Sequence, residues 1–320
     1  MKDKVSVITT FYNTEKYILQ AIHSVNVQVV DDTFDLEYIL VDDCSTDKSL
    51  EYVNTYFSKV PNKNIDVKII STPENLGCGG ARKFGIDHSS GNYLMFLDSD
   101  DYYINNDFVK RAHYDITSEN ADCVEYGFTT VDDKFKKVNF CSQNKITIEN
   151  NPNFIMNYLF GEQFVNFMVW TKIYKRSLTE VKEYDTSRTY EDIRTIPYWL
   201  YHANKYVLMN SIEINYRYNK KSIIRNNDAE MRIGTCTALL ELFEFFKNDI
   251  RILKKIYERA YIDISTILNY NSTYDYFNKM SRINTEMLKY IYPDDYVKIT
   301  YNIDDISEDE TIKKVETNIK

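Results

Sequence analysis

Short apolar runs alternate with amphipathic stretches over the first hundred residues. Residues 5–10, 36–41, 67–70 and 93–97 are rich in β-branched or aromatic side chains and end in polar residues, which predicts four strands. Within 14–27, Ile18, Ala21, Ile22 and Val25 recur at helical spacing, and Ser45-Thr46-Asp47 offers caps to the next helix. Strand and helix alternating in this way predict βαβ units feeding a parallel sheet, an α/β fold. In such sheets ligands gather beyond the carboxyl ends of the strands, so the polar residues there come first in any search for chemistry.

Past Ala121 the pattern shortens, with strand-like pieces at 123–131 and 136–140 and a mixed stretch to Tyr218. From Glu230 onward it turns helical. Leu239, Leu242, Phe243, Phe246, Ile250, Leu253, Tyr257, Tyr261 and Ile264 recur at steps of three and four, which predicts one apolar stripe on a long helix or helix pair. Such a stripe packs within the chain, forms a homodimer face, or lies on a membrane surface, and the spacing alone leaves all three open. The expected division is a domain over 1–220, a helical region over 221–303, and a charge-rich flexible tail over 304–320.

Charge and composition narrow the partners. The net charge of -9 gives no global attraction to nucleic acid or anionic lipid. Five scattered cysteines (Cys44, Cys78, Cys123, Cys141, Cys236) without a CxxC pair suit neither a disulfide framework nor a zinc site, and point to the reducing cytoplasm. The first strand begins at Val5, leaving no room for a signal peptide's apolar region, and no uncharged run is long enough to span a bilayer. Any membrane contact is therefore expected to be peripheral. The 28 tyrosines are read as a compositional habit, without function.

The chemistry concentrates at strand ends. Phe96-Leu97-Asp98-Ser99-Asp100-Asp101 delivers three carboxylates to the end of an apolar strand. Crowded carboxylates repel one another unless a cation neutralises them, and hard oxygen ligands on a short loop suit Mg²⁺ or Mn²⁺ bridging a diphosphate; a solvated acidic loop is the alternative. Asp42-Asp43 ends the second strand in the same way, and the two ends side by side would put four or five carboxylates on one rim. Thr10, Tyr12 and Asn13 end the first strand, with an aromatic face on which a base could stack; a plain helix cap is the alternative. The loop 75–82, Asn-Leu-Gly-Cys-Gly-Gly-Ala-Arg, permits close backbone approach and puts Arg82 near a helix start, where it could meet phosphate. It is no dinucleotide fingerprint, since it follows the third strand with the wrong glycine spacing. Glu191-Asp192 precedes an apolar helical stretch, either as a cap or as a carboxylate to take an acceptor's proton. The four histidines show no ligand spacing.

In this order, residues 5–13, 39–47, 75–82 and 91–101 resemble the inverting GT-A glycosyltransferases of the family 2 type, with a weaker likeness at 169–174 and Glu191-Asp192. The resemblance implies a Rossmann-like nucleotide-binding sheet with a donor half over about 1–130 and an acceptor half over about 131–220. It implies a UDP-sugar donor, Mg²⁺ or Mn²⁺, and inversion at the anomeric carbon. By position Thr10, Tyr12 and Asp43 would hold the base, with Asn13, Asp42 and Ser99 alongside. Asp98 would lie on the ribose side and beside the metal, Arg82 near the base or diphosphate, Asp100 on the metal, and Asp192 would be the general base with Glu191 next to it. Thr10 replaces the family's usual proline, and Cys78-Gly79-Gly80 is an unusual filling of the donor loop. The Gln-x-x-Arg-Trp signature of processive synthases is missing, which favours one sugar per encounter.

The expected acceptor is a cell-surface glycan. A hydroxylated DNA base is the alternative acceptor, suggested by the basic residues Arg217, Lys220, Lys221, Arg225 and Arg232. A nucleotidyltransferase or a non-catalytic nucleotide-sugar binding protein would also keep an acidic site on such a sheet.

Overall fold

The protein, described by a computed structural model, is defined over residues 2–132, 136–140, 144–157, 159–160, 166–218, 228–269 and 274–291. The chain divides into two compact units, Met1–Asn219 and Lys220–Lys320. In the first, strands β1 (Asp3–Phe11), β2 (Phe34–Asp42), β3 (Ile65–Ser71) and β4 (Tyr93–Phe96) run parallel in the order β3-β2-β1-β4. Helices α1 (Ile18–Asn26), α2 (Ser49–Lys59) and α3 (Gly77–Asp87) follow the first three strands. The apolar runs are continuous because the middle strands are covered on both faces: Val5, Val7, Ile8, Tyr38, Ile39, Leu40 and Val41 are all buried.

Glu37 breaks that apolar run and is nevertheless fully buried. Burial alone would raise its carboxyl, but hydrogen bonds from Ser6, the Ser90 amide and Lys68 outweigh it and bring the carboxyl down to about 2. This buried carboxylate laces β1, β2 and the turn before β4 together at the edge of the sheet away from the site.

The remainder of the first unit adds β5 (Tyr102–Tyr103), α4 (Phe108–Ser118), β6 (Cys123–Val131), β7 (Lys136–Phe140), β8 (Ile146–Glu149), α5 (Pro152–Asn157), β9 (Lys172–Lys175), α6 (Leu178–Val181), α7 (Glu191–Tyr201) and β10 (Lys205–Arg217). The sheet continues past β4 as β9-β6-β10-β5, with β9 antiparallel to both its neighbours, so the whole sheet is mixed. Its core holds Tyr126, Tyr174, Tyr184, Trp199 and Tyr206, so several of the tyrosines are structural. Lys172 and Glu125, both fully buried, pair at 3.3 Å. The Lys172 ammonium also donates to the carbonyls of Asn166 (2.8 Å) and Met168 (3.0 Å), which ties down the turn before β9.

The second unit contains α8 (Asp228–Phe245), α9 (Ile250–Asn269) and α10 (Tyr274–Ile291), each packed on the other two. The expected single stripe is divided, because the helix breaks between Phe245 and Ile250. Leu239, Leu242, Phe243, Phe246, Leu253 and Ile264 are buried, whereas Ile250 and Tyr261 are exposed. Intrachain packing takes up the buried members, and the stripe gives no support to a dimer or membrane face. Among the described residues no helix is long and apolar enough to cross a membrane. Cys141, Lys220, Lys221, Arg225 and the tail over 304–320 lie outside the described residues.

Candidate active site

The site forms where β1 is flanked by β2 on one side and β4 on the other. Chain order reverses direction there, and the loops beyond the carboxyl ends open a crevice. Register puts Thr10 opposite Val41 and Ile8 opposite Phe96. The Asp42-Asp43 end and the Asp98–Asp101 loop are therefore not side by side as expected: one strand separates them, roughly 10 Å at ordinary strand spacing.

At the β2 end, Asp43 turns toward the glycine loop. Its Oδ1 accepts from the Leu76 amide (2.8 Å) and the Thr72 hydroxyl (2.9 Å), and its Oδ2 from the Gly77 amide (2.8 Å). A carboxylate has about four acceptor positions, so one remains on Oδ2 for a base N–H. Asp42 accepts from the Ser45 amide (3.0 Å). Asn13 adopts φ 53° and its amide oxygen accepts from the Thr46 and Asp47 amides, so it organises the turn after β2. Tyr12 is 48% exposed at the rim, where its ring is available for stacking.

The glycine loop is closely approached by another segment of the chain. Gly77 has φ 77°, and a Cβ there would lie 2.7 Å from Arg188 Cγ; a Cβ on Gly79 would lie 2.5 Å from the Asp185 carbonyl oxygen and 3.0 Å from Glu191 Cβ. The close approach these glycines allow is that of segment 185–191. Arg188 fastens it by donating to the Asn75 side chain and carbonyl, both at 2.7 Å. The start of α7 is thereby brought over the start of α3.

Arg82, buried on α3, joins the two halves of the site. Its Nη2 donates to Asp98 Oδ1 at 2.6 Å, and its Nη1 pairs with Glu191 Oε1 and lies 3.3 Å from the Tyr184 hydroxyl. Glu191, the other acid of the expected pair, is the ion-pair partner of Arg82. Asp192, more open than Glu191, accepts from the Ile193 amide (2.8 Å) at the start of α7. Burial pushes its carboxyl up to about 7, the neighbouring Glu191 charge adding to the rise and Arg82 opposing it.

The acid loop at the β4 end combines Asp98, buried Ser99, Asp100 and Asp101. Asp101 Oδ1 accepts from the Arg217 amide (2.7 Å), while Asp101 Oδ2 is buried without a hydrogen-bond partner. Burial, and then the charges of Asp100 and Asp98, push the Asp101 carboxyl well above the usual range. Excess negative charge and an orphaned oxygen fit a hard cation. Among the described residues, however, no three His, Cys, Asp or Glu side chains are grouped to hold one by themselves. The donor set suits Mg²⁺ or Mn²⁺ bound by one or two carboxylates and completed by phosphate oxygens.

Of Arg217 and Arg232, read from sequence as members of a basic patch, Arg232 pairs with Asp263 within the second unit, and the Arg217 side chain donates to the Asp100 carbonyl and to Gln20. Sequence reasoning also gave no role to Tyr184, Arg188 or Gln20, which carry no local motif.

The family model described as "Glycosyl transferase family 2" matches residues 6–181. The chain belongs to glycosyl transferase family 2. Among its relatives, glycosyltransferase GlyA of Streptococcus pneumoniae is 28% identical over 231 residues, covering 70% of this chain and 32% of GlyA. The poly(ribitol-phosphate) beta-N-acetylglucosaminyltransferase TarS of Staphylococcus aureus is 37% identical over 119 residues, 37% of this chain and 20% of TarS. The chain thus spans about a third of GlyA and a fifth of TarS. The crystal structure of TarS 1-349 in complex with UDP-GlcNAc superposes with a TM-score of 0.68 at 19% identity, covering 91% of this family 2 chain and 82% of that one. The mannosyltransferase PcManGT from Pyrobaculum calidifontis, in complex with GDP-Man and Mn²⁺, gives 0.54 at 13% identity over 92% and 88%. At these identities the likeness establishes the GT-A fold.

Proposed function

We propose that this family 2 glycosyltransferase moves one sugar from a UDP-sugar to an acceptor hydroxyl, inverting the anomeric centre, in surface glycan synthesis on the cytoplasmic side. One observation carries the reading: Arg82 binds both Asp98 of the acid loop and Glu191 beside Asp192, so the donor half and the base half form one site. Asp192, with its carboxyl near 7, is ionised in a useful fraction at neutral pH and basic enough to accept a proton.

In the transfer, the acceptor oxygen forms its bond to the anomeric carbon as the bond from that carbon to the diphosphate oxygen breaks, and the acceptor proton goes to Asp192. Tyr12 and Thr10 face the base, with the open position on Asp43 Oδ2 receiving its N–H. Asp100, with Asp98 beside it, is the residue to hold Mg²⁺ or Mn²⁺, which when bound neutralises charge on the departing diphosphate. Arg82 holds Asp98 and Glu191 in register, leaving Asp192 to do the proton transfer.

TarS, whose name states a poly(ribitol-phosphate) acceptor, supports a polyol-phosphate polymer as acceptor. The DNA-base alternative loses part of its motivating observation, since Arg232 pairs with Asp263 and the Arg217 side chain donates to the Asp100 carbonyl and the Gln20 side chain.

UDP release from a panel of UDP-sugars with Mn²⁺ tests the reading. Slow hydrolysis of one UDP-sugar is expected, accelerated by the right acceptor. A folded protein that releases UDP from none of them contradicts it, and pyrophosphate formed from a nucleoside triphosphate and a sugar phosphate would instead indicate a nucleotidyltransferase.

A further inference from the structure

We propose that Arg217 is the positioning residue of the acid loop, holding Asp100 and Asp101 in the arrangement that takes up a divalent cation together with the nucleoside diphosphate. The proposal rests on the metal reading above and adds a residue from the far end of the sheet.

Arg217 is the last residue of β10, more than a hundred positions from the loop it touches. It reaches Asp101 and Asp100 by two separate bonds. Its backbone amide donates to Asp101 Oδ1 (2.7 Å), and its Nε donates to the Asp100 carbonyl oxygen (3.0 Å). The second bond fixes the peptide plane from which Asp100 projects, and does so through the main chain. A guanidinium has five donors in a rigid fork and no acceptor, so one side can hold a carbonyl while another is anchored elsewhere. Here Nη2 is anchored on the Gln20 side-chain oxygen of α1. The guanidinium carbon lies over the Tyr17 ring at 4.9 Å and over the Tyr102 ring at 5.6 Å, both within cation–π range.

The electrostatics point the same way. Asp98, Asp100 and Asp101 stand within four residues of one another, and the guanidinium held against the loop's main chain places a positive charge beside them before a cation arrives. A loop already in its binding shape loses less conformational freedom on binding. Arg217 therefore acts through Asp100 and Asp101, and its loss falls on cation uptake.

The test is Mn²⁺ binding by the full chain at saturating UDP, followed as loss of the electron paramagnetic resonance signal of free Mn²⁺. Arg217→Ala is expected to weaken Mn²⁺ at least tenfold while UDP binding without metal stays unchanged. Arg217→Lys restores the charge without the fork and is expected to recover only part of the loss. Gln20→Ala, which frees the guanidinium without touching the acid loop, is expected to weaken Mn²⁺ several-fold, and with Arg217→Lys it decides the matter if Arg217→Ala does not fold. Wild-type Mn²⁺ affinity in the folded variants overturns the role of Arg217 and leaves the metal reading standing. Failure of the wild-type chain to bind Mn²⁺ with UDP overturns both.

Discussion

Asp192, the proposed base, owes its raised carboxyl to burial and to its neighbours. A carboxylate in water titrates near 4 and is too weak a base to draw a proton from a hydroxyl efficiently. Burial and the adjacent Glu191 raise Asp192 to about 7, and Arg82 keeps it from rising further. The base must be ionised to act, so kcat is expected to rise with pH through about 7 and then level off. Asp192→Asn is expected to keep donor affinity and lose about 10²–10⁴-fold in turnover, the usual contribution of such a group. Steady-state kinetics across pH 5–9 check both, and an unchanged turnover number removes Asp192 from the mechanism. Much of this was legible in the sequence, because Asp98–Asp101 and Glu191-Asp192 stand out as acids at element boundaries. The partnership of Arg82 with Glu191 was not. Those residues are 109 positions apart, and no local pattern reports which side chains meet across a fold.

At the scale of elements, the glycines of α3 have a sign that the helix alone would not predict. In an ordinary helix Gly→Ala stabilises by up to about 1 kcal/mol. Gly79→Ala is expected to destabilise instead, by about 1–3 kcal/mol, because the new Cβ meets the Asp185 carbonyl and the side chain of Glu191. Pushing segment 185–191 outward also moves Asp192, so turnover is expected to fall with stability. Chemical denaturation and kinetics on the same variant check this, and a stabilised, fully active Gly79→Ala protein would refute the packing role. Sequence periodicity identified β1 to β4 and the helices between them. It could not reveal that β1 lies between β2 and β4, since strand order depends on tertiary pairing; the two acidic clusters share the carboxyl-end rim of these parallel strands but stand one strand apart rather than side by side. It left open whether the stripe from Leu239 to Ile264 belongs to one long helix or to a pair, because the apolar spacing carries across the break at Phe246 to Asp249 without a glycine or proline to mark it; the pair is what forms.

For the whole molecule, the family match over 6–181 ends inside the first unit, which carries every proposed donor, metal and base residue. The second unit contributes three helices of its own, and no motif in them was legible beyond their apolar stripe. Under the proposed function, the acid loop and a nucleoside diphosphate share a divalent cation. Calorimetric titration of UDP into the full chain, with Mn²⁺ and again with chelator, tests it most directly. The account predicts binding at least tenfold tighter with Mn²⁺, and loss of that difference in Asp100→Ala. Equal affinity for UDP with metal and with chelator, in a folded wild-type protein, would contradict it.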